Sequence, residues 1–224
     1  PEPFRNRCGI ENGDITLVTV SRLSKFLKSE SLFRTVEAVR TLGRDVPLRL
    51  VIVGDGMVRA ELERLADHTN AELGRRAVIL AGALHDPRPA YAMADIVVGM
   101  GGSALRGMAF GKPVIVVGEQ GFATPFTPET ADSFYYKGMY GRGDGSAGNA
   151  RLVSAIRGLA GRVDELSPLG TFSRRYVVRH HSLETITAGF AHLCREAGEE
   201  VPRLGTAAAD AIRTAALYLR ERRF

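Results

Sequence analysis

Residues 48–56 read L-R-L-V-I-V-G-D-G, and a helical pattern follows at 57–73. The run is apolar at nearly every position, not at every second one. A strand buried on both faces of a sheet reads this way. The closing Gly54-Asp55-Gly56 punctuates strand from helix. Glycine there permits positive φ and lets a ligand approach the backbone, and a tight turn capped by Asp55 would use the same residues. In the helical pattern Val58, Leu62, Leu65 and Ala66 fall on one face at a 3.6-residue period.

The same alternation extends in both directions. Four more β-branched runs occur at Ile15–Val20 (I-T-L-V-T-V), 77–81 (A-V-I-L-A), 95–98 (D-I-V-V) and 113–117 (P-V-I-V-V). Helical patterns separate them at 30–42, where Leu32, Phe33, Val36, Val39 and Leu42 share a face, and at Arg88–Met93 and 103–110. Repeated strand and helix predict an α/β fold, a Rossmann-like doubly wound parallel sheet with right-handed crossovers. Ligands of such sheets sit outside the carboxyl ends of the strands. The loops after Val20, Val53, Ala81, Val98 and Val117 are therefore the ones to inspect.

After Gly118 the character changes. Residues 118–149 are rich in Gly, Pro, Thr and aromatics, with G-R-G-D-G-S-A-G at 141–148. This predicts a long functional loop or lid. Helices are predicted at 149–160, 164–179 and 182–195, the last with Ser182 as N-cap. Residues 199–205 read as a linker, and 207–222 as an Ala- and Arg-rich amphipathic helix. The expected organisation is an N-terminal extension or linker over 1–14, a Rossmann-like ligand-binding domain over 15–198, and a linker with C-terminal helix over 199–224.

Composition narrows the function. Hydrophobic residues are 45% and charged residues 25% of the 224, an ordinary globular balance. No run approaches the ~18 apolar residues of a membrane helix, and the polar start carries no signal peptide. An opening Pro1 reads as a piece cut or processed from a longer chain. Cys8 and Cys194 fit no metal spacing and read as free thiols of a reducing cytoplasm. The histidines are read as lacking a ligand-type partner three or four residues on, so no metal is expected. The net charge of +5 comes without a basic, aromatic-interleaved run or a nucleic-acid module. That argues against a nucleic-acid partner and for a phosphorylated small molecule. The turn Gly99-Met100-Gly101-Gly102-Ser103 follows the fourth strand and opens a helix, where backbone N–H groups and the helix dipole suit an anion.

Four stretches carry a resemblance. They are V-S-R-L at 20–23 with a lysine after it, V-I-V-G-D-G at 51–56 with E-L-E-R-L at 61–65, A-G-A-L at 81–84 with Y-A-M-A-D at 91–95, and R-G-M-A-F-G-K-P-V-I-V at 106–116. In order and spacing they resemble the C-terminal, donor-binding domain of GT-B glycosyltransferases, specifically retaining family 4, over about residues 15–190. The resemblance implies one half of a GT-B fold whose substrate is a nucleotide-diphosphate sugar, with no cofactor and no metal. It implies that Arg22 and Lys28 hold the diphosphate, Lys25 being the competing choice. Two fixed cations can stabilise a departing diphosphate without a metal. It further implies a donor loop of Gly54, Asp55, Gly56, Gly101, Gly102 and Ser103, and a base contact at Gly82, Ala83 and Leu84. Position 106 would meet the ribose.

At that position the sequence departs from the family. The resemblance calls for a glutamate to accept the paired ribose hydroxyls, and Arg106 cannot accept a hydrogen bond. Arg106 could grip a phosphate, or pair with Glu119 or Glu129. The resemblance also implies an acceptor-binding N-terminal domain outside this chain, an unassigned catalytic group, and no transfer by this chain alone. The helix at 207–222 resembles one that packs on the missing half, and its bared apolar face would suit a homodimer. A cytoplasmic enzyme, peripheral at the inner face of the membrane, is the implied setting. Two other classes compete. Gly99-Met100-Gly101-Gly102-Ser103-Ala104 with Glu119 matches an NAD(P)-binding oxidoreductase fingerprint, although on the fourth strand. A non-catalytic sugar-nucleotide or protein-binding module would fit the Arg106 substitution, and an epimerase shares the overall build.

Overall fold

A computed structural model describes residues 2–146, 148–199 and 204–221. The chain divides into two compact units, Pro1–His181 and Ser182–Phe224. In the first, six strands form one sheet: β1 (Ile15–Val20), β2 (Leu48–Val53), β3 (Val78–Gly82), β4 (Ile96–Gly99), β5 (Val114–Val117) and β6 (Ala123–Pro125). Their order is β3-β2-β1-β4-β5-β6. The first five are parallel, and β6 runs antiparallel to β5. The order reverses between β1 and β4, which is the switch point where open α/β sheets leave a crevice.

The helices of this unit are α1 (Glu2–Cys8), α2 (Ser29–Leu42), α3 (Arg59–Leu73), α4 (Arg88–Met93), α5 (Gly102–Ala109), α6 (Pro128–Lys137), α7 (Ala150–Ala160) and α8 (Val163–His181). They make two cores, one on each face of the sheet. Leu17, Leu50, Ile52 and Ile96 pack with α2, α3 and α7. Val18, Val51, Val53 and Val97 pack with α1, α4, α5 and α6. Neighbouring residues on a strand point to opposite faces, so a sheet covered on both sides needs apolar residues at both parities. That is why the strand runs are continuous. The one charge in L-R-L-V-I-V, Arg49, is paired with Asp14 at 2.9 Å. At the other end of the sheet, the Thr19 hydroxyl donates to the Val98 carbonyl at 3.0 Å and ties β1 to β4.

The segment expected as a long loop is partly regular, and this corrects the sequence reading. It contains β6 and α6. Thr127 and Thr130 form a reciprocal capping box, with Pro128 at the first helical position. Phe126 and Phe134 are buried with Phe172 and Tyr176; the Phe126 and Tyr176 rings lie 4.8 Å apart. The glycines at 118, 141 and 143 serve close packing. A Cβ at Gly118 would sit 1.8 Å from the Gly141 carbonyl oxygen.

Residues 1–14 were expected as an extension, but α1 buries Phe4 and Cys8 in the second core and belongs to the first unit. That unit closes at His181, whereas the sequence reading draws its boundary at 198/199. The second unit contains α9 (Leu183–Glu199) and α10 (Leu204–Glu221). Leu183, Phe190 and Leu193 of α9 are exposed, as are Ile212, Tyr218 and Leu219 of α10. Most of the expected linker, 200–203, lies outside the described residues. Among the described residues, no helix is long and apolar enough to cross a membrane.

Candidate functional site

The carboxyl ends of β1 to β4 open onto a cleft of about 510 Å3. Four chain segments build it. The turn after β1 brings Ser21, Arg22 and Lys28, and the turn after β2 brings Gly54 and Asp55. The turn after β3 brings Ala83, Leu84 and Pro87, with Tyr91 behind them. The turn after β4 brings Met100, Gly102, Ser103 and Arg106. A smaller cavity of about 20 Å3 lies beside it, bordered by Thr19, Lys28, Ser31, Thr35 and Ser103.

Backbone hydrogen bonds stitch the turns together. Ser21 N–H donates to the Val53 carbonyl and Leu23 N–H to the Asp55 carbonyl, both at 2.9 Å. Gly54 N–H donates to the Gly82 carbonyl at 2.9 Å. The G-D-G glycines are needed for this stitching. Gly54 has φ +143°, and a Cβ there would lie 1.8 Å from the Ser21 carbonyl oxygen. At Gly56 it would lie 2.6 Å from that of Leu23. These glycines let backbone approach backbone, and Gly56 does not line the cleft. Neither does Gly82, whose carbonyl is spent on Gly54, nor Gly101, whose N–H donates to the Met139 carbonyl at 2.6 Å.

Between Arg22 and Lys28 the chain makes a strained turn. Leu27 has φ +65°, uncommon for a residue with a side chain, and Lys28 N–H donates to the Phe26 carbonyl at 2.7 Å. The turn sets Lys28, half-buried, into the cleft, while Lys25 stays exposed and outside its lining. Burial, then the neighbouring Arg22, push the Lys28 ammonium below the usual lysine range. Both effects disfavour a charge that has no counterion.

Tyr91 was missed in the sequence, where Y-A-M-A-D reads simply as helix. It is buried, stacks on Phe110 at 5.7 Å between ring centroids, and its hydroxyl lies 3.3 Å from that of Ser103. Burial raises its pKa, so it stays a neutral donor. Its pairing with Ser103 ties α4 to the first turn of α5.

The charge distribution is one-sided. Among the described residues, no carboxylate forms an ion pair with Arg22, Lys28 or Arg106. The acid of the lining, Asp55, accepts from Gly56 N–H at 2.7 Å and lies 3.5 Å from Arg59. The pairings of Arg106 raised from sequence do not form. Glu119 accepts the Tyr140 hydroxyl instead, and Glu129 borders a different hollow. Glu119 is also the acid a dinucleotide fingerprint would need, and it lies outside the cleft lining. The histidine reading needs correcting too. His68 and His192 each have a glutamate one helical turn on, at 4.0 Å from Glu72 and 3.4 Å from Glu196. Among the described residues, no three His, Cys, Asp or Glu gather into a metal-holding group.

Comparisons with known proteins bear on this site. The family model described as Glycosyl transferases group 1 matches residues 14–132, more than half of the chain. No curated protein matches. Among solved structures, the chain is similar to a glycosyltransferase from Rickettsia africae, at 15% identity and a TM-score of 0.67, over 89% of this chain and 52% of that one. It is similar to Anabaena HepE in complex with UDP, at 16% identity and a TM-score of 0.64, over 87% and 52%. A third is WaaG, a glycosyltransferase involved in lipopolysaccharide biosynthesis, at 21% identity and a TM-score of 0.57, over 78% and 45%. At these identities the likeness is one of fold. The chain spans about half the length of these proteins.

Proposed function

The chain belongs to the glycosyl transferases group 1 family, and on that premise we propose that its first unit is the donor-binding half of a GT-B glycosyltransferase. A nucleotide-diphosphate sugar lies in the rim cleft. Its diphosphate meets Arg22, Lys28 and the start of α5, and its base lies against Ala83 and Leu84. As the glycosyl bond breaks, negative charge grows on the leaving diphosphate, and cations already in position stabilise it without reorganising. No metal takes part. The glycosyl group keeps its anomeric configuration. The acceptor binds a second domain outside these 224 residues, so this chain alone does not turn over.

The observation that carries this reading is the meeting of four separate loops at one cleft whose cations form no ion pair with a carboxylate among the described residues. The UDP bound to HepE, a protein of the same fold, supports it. The net charge of +5 supports a peripheral position at an anionic, cytoplasmic membrane face. The exposed Ile212 and Leu219 of α10 support a homodimer contact. Isothermal titration of the chain with UDP, GDP and ADP tests the central claim. Heat is expected with at least one, together with no bound-NADH fluorescence. Silence with all three would return the chain to the class of protein-binding modules.

A further inference from the structure

The cleft holds a third cation, Arg106, besides Arg22 and Lys28, and a single carboxylate, Asp55, in its lining. Arg106 stands one turn into α5, exposed, with no carboxylate partner among the described residues. Its guanidinium folds back over the helix start: the Nη1 atom lies 3.4 Å from where a Cβ on Gly102 would be. Beside it are the hydroxyls of Tyr91 and Ser103, themselves 3.3 Å apart. The third cation therefore sits at the first turn of α5, where helix N–H groups and the dipole already favour an anion. A guanidinium offers donors only. The acid of the lining, Asp55, is held by Gly56 N–H and Arg59. Among the described residues, no other carboxylate lines the cleft to accept from a ribose diol.

We infer that Arg106 is a third phosphate ligand, and that the cleft selects its substrate by the diphosphate while ignoring the ribose 2′-hydroxyl. This rests on reading the cleft as a nucleoside-diphosphate site. A pocket built around a hydroxyl rejects the analogue lacking it by large factors, because its own polar group is left unpaired. A pocket that spends no buried group on the hydroxyl has no such leverage. Three fixed cations reward each phosphate added, so discrimination moves to the phosphate count.

The test is isothermal titration of the 224-residue chain with the nucleoside diphosphate that binds best among UDP, GDP and ADP, its monophosphate, and its 2′-deoxy form. The ribose and deoxyribose diphosphates are expected to bind within about twofold of each other. Arg106→Gln is expected to weaken the diphosphate about tenfold, the scale of one charge-assisted hydrogen bond, and the monophosphate much less. Arg106→Lys should recover part of the loss. A tenfold preference for ribose, or an Arg106→Gln effect that is nil or equal on mono- and diphosphate, would overturn the inference and leave the diphosphate site standing. Absence of any nucleoside-diphosphate binding by the unaltered chain would remove both. The ribose comparison needs no variant, so a poorly folding substitution cannot hide the answer.

Discussion

Two hollows of the first unit are opposite in character. The larger, about 940 Å3, lies between β6, the start of α6, α7 and α8, and is walled by Pro125, Ala155, Leu159, Leu169 and Phe172. Its cations are neutralised at home: Arg162 lies 3.0 Å from Glu165, and Arg151 lies 3.9 Å from Asp144. The rim cleft has about half the volume, yet among the described residues Arg22, Lys28 and Arg106 pair with no carboxylate, its own Asp55 being turned to Arg59. Volume reflects how far helices splay. Unneutralised charge at strand ends costs stability and waits for an anion from outside. Charge imbalance therefore marks the site better than size.

Substitutions can break that comparison. The largest effect is expected at Gly54→Ala. The added methyl meets the Ser21 carbonyl at a backbone angle only glycine tolerates, so about 3 kcal/mol of stability and the cleft's ligand binding should go together. Urea unfolding with parallel titration reads both. Next comes Arg22→Ala, which should weaken a bound nucleoside diphosphate by about 1.5–3 kcal/mol, while Arg162→Ala in the larger hollow should change nothing. Equal losses from the two would erase the distinction. Thr127→Ala removes the capping box at the larger hollow's edge; calorimetry should show a loss of about 1 kcal/mol, with ligand affinity intact. Gly158→Ala lies in α7 on the same hollow, where a Cβ makes only an ordinary contact with the Arg162 side chain at 3.9 Å. It should stabilise the protein by about 0.5–1 kcal/mol, the opposite sign to Gly54.

The smallest effect concerns protons. Lys28 titrates below its ordinary range in the folded chain. Between that lowered value and the unfolded one, the unfolded chain holds more protons, so stability rises with pH across the window. An anion bound at Lys28 pulls its pKa back up. Binding should then take up protons on the alkaline side, visible as a buffer-dependent enthalpy, and affinity should fall as pH climbs. Lys28→Met should abolish the buffer dependence.

The sheet was legible in the sequence because burial on both faces writes itself as unbroken apolar runs. The ends of β1, β2 and β4 were legible too, since V-S-R-L, G-D-G and the glycine turn before Ser103 punctuate them. What hid was whatever depends on partners distant in sequence. Phe126 and Phe134 looked like loop aromatics until Phe172 and Tyr176 came to meet them, although T-P-E-T at 127–130 holds the capping signal. Lys28 was preferred to Lys25 by resemblance alone, because the turn at Leu27 that separates them has a φ its side chain does not announce. Gly54 and Gly56 read equally as a ligand approach or a tight turn, and the backbone of Ser21 and Leu23 that requires them to be glycine lies far off in sequence. Tyr91 gave no sign of reaching Ser103.

The sixth strand has a meaning for the protein in concentrated solution. Unpaired amides along a sheet margin invite another chain to add on, which is how cross-chain ribbons start. Here β5 is covered by a partner of three residues that ends in Pro125, and proline has no N–H to offer a newcomer. That flank of the molecule is a short, poor template for a second chain.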